Sequence, residues 1–246
     1  MNQSMTRPYS LVQDPIFYIT VGFFALLTTG LPAAIGQPNF LPMIQTLALF
    51  IFLLIPLRKG LLREALLVLA VWLTVQFVLI VVLTWLMQAN VERAFHGGFQ
   101  YRMDATAWLY SAAGVERPDS FIAYPGARLL EVLGILIGSV LSGGLIGIWF
   151  LVKSVNLAGY TMGVWLVVIG SGVGLILALP LWTLLRIGGY AGLVALLGEP
   201  LLTGNWQLAY YWHTRRRLLI RSGALLVIGL ALELFLPTLW QLALRG

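Results

Sequence analysis

The chain has 246 residues, 60% of them hydrophobic and only 10% charged, against the roughly 25% charged of a soluble domain. A mean hydropathy of +0.92 then excludes an ordinary soluble globule and marks an all-α, polytopic transmembrane helix bundle. The formal charge of +6 sits mostly at the ends of apolar runs and no Cys is present, which points to membrane anchoring over nucleic-acid binding and excludes disulfides, thiolate nucleophiles and Cys-ligated metal centres.

The polar start 1–14 carries Arg7 and leads into an apolar run over 15–36. That run exceeds the roughly 7–15 residues of a signal-peptide core, so it is expected to be a retained first span with the N-terminus cytoplasmic. Gln37-Pro38-Asn39 makes a turn before a second span over 41–57, which stops at Arg58-Lys59-Gly60. Arg63 and Glu64 open a third span over 65–87. The segment 88–128 follows, with four Arg balanced by four acids and aromatics throughout, and is expected to be an external amphipathic cap.

A fourth span is expected over 129–152, ending at Lys153. The apolar stretch 156–202 is interrupted only by Pro180, Arg186 and Glu199. It is about twice the length needed to cross a hydrocarbon core of roughly 30 Å. It is read as spans over 156–179 and 181–202, hinged near Pro180 and Gly188-Gly189, with the second either a full pass or re-entrant. A last span covers 218–239. Keeping Arg58, Lys59 and Arg63 on the same cytoplasmic side as Arg215, Arg216, Arg217 and Arg221 favours seven crossings over six. The whole chain reads as one integral domain, expected in a plasma (inner) membrane.

Few residues stand out chemically. Glu233 and Arg186 lie inside apolar stretches where an ionised group is costly and needs a partner, a cavity or water. For Glu233, meeting water or an Arg of the external segment near the outer interface is favoured over an intramembrane role. Gln45, Gln76 and Asn156 are further polar groups, suited to interhelical hydrogen bonds or to a polar path. Glu131 pairs with Arg128 or caps its helix. Gly134, Gly138, Ser142, Gly143 and Gly147 form small-residue ladders, read first as a close-packing helix face and second as a gate. His96, Asp104 and Arg102 are the candidate external site, weighed against an interfacial helix broken at Gly97-Gly98. Arg215, Arg216, Arg217 and Arg221, next to Tyr210-Tyr211-Trp212, form a basic aromatic cluster suited to anionic lipid headgroups or to another subunit.

No HExxH, GxSxG, P-loop or dinucleotide fingerprint occurs. No catalytic, cofactor-binding or metal residues are therefore assigned. The expected function is a non-enzymatic, permease-like or scaffolding subunit of a larger membrane complex, with lipids and other membrane or peripheral subunits as partners and no nucleic acid. The alternatives are a secondary transporter or channel for an apolar or lipidic solute, and an enzyme acting on a lipid-linked substrate at the outer face.

Overall fold

The computed structural model describes residues 11–37, 40–111, 117, 120–170 and 179–245, the side chains of 208 and 242–245 excepted. All regular structure among them is helical. The helices in chain order are α1 (Pro15–Ile35), α2 (Phe40–Leu57), α3 (Leu62–Ala94), α4 (Gly98–Tyr110), α5 (Pro125–Ser142), α6 (Leu145–Ile169), α7 (Leu181–Thr203), α8 (Leu208–Thr214) and α9 (Arg216–Arg245). Seven of these, all but α4 and α8, are long and apolar enough to cross a membrane.

Local chemistry sets the helix ends. Asp14 caps α1 by accepting the Ile16 N–H at 2.9 Å, and Pro15 occupies the first turn, where its missing N–H costs nothing. Between α5 and α6 the backbone reverses at Gly143 (φ 62°) and Gly144 (φ 99°), left-handed values that a Cβ would oppose. This turn corrects the expected boundary. The chain folds back at Gly143-Gly144, ten residues before Lys153, so 129–152 is not one span, and Lys153 and Asn156 lie within α6. A lone Lys is a weak stop signal because its long side chain can still find a polar neighbour within a helix. Two consecutive left-handed glycines cannot continue one.

Three further boundaries differ from expectation. The apolar part of α3 does end at Met87, where the backbone kinks (φ −141°, ψ 53°), but the helix resumes to Ala94. The expected external segment therefore gives its first residues to α3 and its last, 125–128, to α5. Pro180 precedes α7, whereas Gly188-Gly189 lies mid-helix and forms no hinge. The end of the expected span over 156–179 falls partly outside the described residues.

In α6 and α7 67% of the span is buried inside the protein, against 22–39% in the other five, so these two are the inner helices. α6 packs against α2, α3, α5 and α7, and α7 makes its most extensive contact with α9. That contact depends on missing side chains. A Cβ on Gly189 would lie 2.7 Å from the Leu226 backbone nitrogen, and one on Gly229 would lie 2.8 Å from that of Arg186. The small-residue ladder works similarly but across a hairpin. Gly134 and Gly138 of α5 face Phe150 and Ile146 of α6, and Gly147 faces Ser139.

The ends of the bundle differ. At one end Arg215, just before α9, donates to the Gly60 carbonyl at 2.9 Å and to Glu199 Oε1 at 2.7 Å, tying together the α2–α3 turn, α7 and α9. Burial works against this guanidinium's charge, but Glu199 holds it above its ordinary pKa. At the opposite end α4 lies on α6. Tyr101 and Thr161 share a 2.7 Å hydrogen bond, Phe95 stacks on Tyr160 at 4.8 Å, and Trp108 meets Trp165 at 5.3 Å.

Candidate functional site

Two buried polar clusters meet at one cavity. The first is made of amides from three helices. Asn156 of α6 is its hub: its Nδ2 donates to Gln45 Oε1 of α2 at 2.7 Å, while its Oδ1 accepts from Gln76 Nε2 of α3 at 2.7 Å. Gln45 also donates to Thr29 of α1 at 2.7 Å, and Gln76 to the Val152 carbonyl at 3.0 Å. All four side chains are at most 2% exposed. Three polar residues that the sequence presents separately thus bond to one another, with Gln76 Oε1 left as the unpartnered buried atom of the group.

The second cluster is ionic. Glu233 of α9 pairs with Arg186 of α7, so the two residues that most needed partners in the sequence are each other's. Arg117, from the connection before α5, donates to the same carboxylate at 3.2 Å and lays its guanidinium over the Trp182 ring at 4.7 Å. Arg128 of α5 lies 3.9 Å from Glu233 and bonds Glu131 at 2.5 Å, and Glu131 also accepts from Ser154 of α6. The helix widens to π geometry over Gly134–Gly138, one turn beyond Glu131. All five ionic residues are buried. Such a network costs several kcal/mol per desolvated ion and is tolerated only when its partners are all in place.

The cavity has a volume of about 620 Å³. It lies between the start of α2, the end of α3, α4, α5 and α6, on the side away from Arg215. Its walls are mostly apolar, from Leu41, Phe95, Leu130, Phe150 and Leu157. Its polar groups come from both clusters, Asn156 from one and Arg128, Glu131 and Ser154 from the other, joined by His96, Asp104 and Lys153.

Lys153 is the residue that sequence reasoning missed. It lies eight residues after Leu145, about 12 Å into α6 at 1.5 Å per residue. Its side chain is exposed. Its ammonium lies 5.9 Å from the Trp149 ring centroid, and among the described residues no carboxylate pairs with it. An ionised Lys near a bilayer centre costs roughly 2.5–3.5 kcal/mol on insertion scales. The signal that could have found it was the Gly143-Gly144 pair, which moves the helix start and carries Lys153 inward.

The proposed external triad does not assemble. His96 and Asp104 line the same cavity, with Asp104 accepting from Gln100 at 2.8 Å. Arg102 turns away to bond Glu92 at 2.6 Å and to lie over Phe99 at 5.1 Å. Arg117, which the sequence does not single out, takes the buried role instead. In the basic cluster Arg215 is spent on Glu199, Arg216 lies over Trp212 at 5.3 Å, and Arg216, Arg217 and Arg221 are exposed. His213 is exposed on α8, and no group of three or more His, Asp or Glu able to hold a metal ion occurs among the described residues. No family model, curated protein or solved structure matches the chain.

Proposed function

We propose that the chain is a non-enzymatic, permease-like membrane protein whose cavity takes up an amphiphilic solute. The observation that carries the reading is the junction of apolar walls with two fully buried polar clusters in one space of about 620 Å³. Pockets of roughly 300–1,000 Å³ with apolar walls and a few fixed polar groups are the usual form of a small-molecule site. Under the positive-inside rule the Arg58, Arg63 and Arg215–Arg221 end is cytoplasmic, and the α4 side of the cavity belongs to the outer half of the membrane.

The test is equilibrium binding of single-chain amphiphiles to the protein in nanodiscs, beside an Ala127→Trp variant. Ala127 is exposed on the cavity wall, so the indole fills the space without disturbing the core. Saturable binding that this variant abolishes is the expected result. Absence of saturable binding to the unmodified protein rejects the reading.

A second reading, membership of a larger complex, is favoured by the basic end. Trp206, Trp212, Arg216, Arg217 and Arg221 are all exposed there, as suits an anionic lipid surface or an acidic subunit. Reversing the charge of Arg216, Arg217 and Arg221 together should release a copurifying subunit if one docks there. Copurification that survives the change counts against the surface.

A further inference from the structure

From the placement of Lys153 we infer that the cavity selects amphiphiles with an anionic headgroup, a phosphate, sulfonate or carboxylate, and that the Lys153 ammonium is the selecting group. This rests on the cavity-binding reading above and names the solute's class.

The inference follows from how the other charges within the spans are disposed. Arg186 is held by Glu233, Arg128 by Glu131, and Glu199 by Arg215. Lys153 lies beside the face of Trp149, pairs with no carboxylate among the described residues, and borders the cavity. A charge kept at membrane depth with its neighbours' carboxylates already engaged is a group in want of an anion from outside the chain.

The rest of the cavity fits that ligand. Arg128 adds positive potential on the same wall while staying bonded to Glu131. Asp104 is on α4, engaged by Gln100, and His96 stands at the same end. The apolar surfaces of Leu41, Phe150 and Leu157 would be wasted on a small inorganic anion but suit an acyl or alkyl chain.

The experiment measures binding of three single-chain amphiphiles of equal tail length, a monoalkyl phosphate, a monoacylglycerol and an alkyltrimethylammonium, to the protein in phosphatidylcholine nanodiscs. The phosphate should bind best. Lys153→Gln should weaken it by at least about tenfold, the value of a lost charge-assisted hydrogen bond, with monoacylglycerol unchanged, and Lys153→Arg should restore it. Competition by phosphatidic acid placed in the bilayer identifies a membrane lipid as the source, and competition only by the soluble monoalkyl phosphate identifies a solute from water. Either result supports the inference.

Equal binding of the three amphiphiles overturns the inference and leaves the cavity reading standing, as does a phosphate preference untouched in Lys153→Gln. Failure of all three to bind rejects both. Should Lys153→Gln not fold, the headgroup ranking in the unmodified protein still decides, and a preference for the cation or the neutral amphiphile overturns the inference.

Discussion

Replacing Glu233 by Gln is the most informative single perturbation of the ionic cluster. The carboxylate is 4% exposed and serves Arg186, Arg117 and Arg128 together. Gln keeps the shape but removes the charge, leaving the Arg186 guanidinium buried without a carboxylate among the described residues. Removing one partner of a buried ion pair costs about 3–5 kcal/mol, a large share of a typical stability of about 5–15 kcal/mol. Glu233→Gln is therefore expected to lose about 3–5 kcal/mol in a reversible SDS titration in mixed micelles. A cycle with Arg186→Met sharpens the test. The double variant removes both charges, so its loss should fall short of the sum of the singles by about 0.5–3 kcal/mol. A loss below about 1 kcal/mol for Glu233→Gln, with additive behaviour in the cycle, would refute the structural role and leave Glu233 as a carboxylate that meets water near the outer interface.

Other outcomes follow from the same geometry. Asn156→Leu removes the hub of the amide cluster and should cost about 1–3 kcal/mol for each amide left unsatisfied, Gln45 and Gln76, in the same titration; a loss within about 0.5 kcal/mol would contradict the hydrogen bonds described. Gly229→Val drives a side chain into the α7 backbone near Arg186 and should prevent a monodisperse protein in gel filtration, whereas Gly126→Ala, which meets nothing within 4 Å, should be neutral. Normal behaviour of Gly229→Val would mean that α7 and α9 are further apart. If all seven apolar helices cross, reporters at the two ends of the chain will lie on opposite sides of the membrane, and a same-side result excludes seven crossings.

Hydropathy and charge placement were enough to read the membrane class and the helical fold and to narrow the apolar helices to six or seven, because a bilayer forces every backbone polar group into helical hydrogen bonds and makes length and apolarity directly legible. Charge alone also identified Glu233 and Arg186 as residues requiring partners. The expected Arg of the external segment is found beside Glu233 as Arg117 and Arg128, but the pairing of Glu233 with Arg186 was not legible. Residues 47 positions apart meet because α7 and α9 close together over Gly189 and Gly229, and a spacing pattern within one helix says nothing about its neighbour. The same holds for Gln45, Gln76 and Asn156, which come from α2, α3 and α6.

The opening composition, 10% charged, therefore carries two kinds of information. The sequence by itself determined that charges are scarce and that the chain is a series of membrane-length apolar runs, since transfer into hydrocarbon depends on residue type and run length; it misplaced the boundary between the fourth and fifth of them. Only the tertiary structure decided which charges within the apolar helices are neutralised and that Lys153 has no carboxylate beside it among the described residues. Pairing is a matter of distance between helices, and the backbone reversal at Gly143-Gly144 sets that distance for Lys153, turning an expected helix end into an ammonium group on the wall of a cavity.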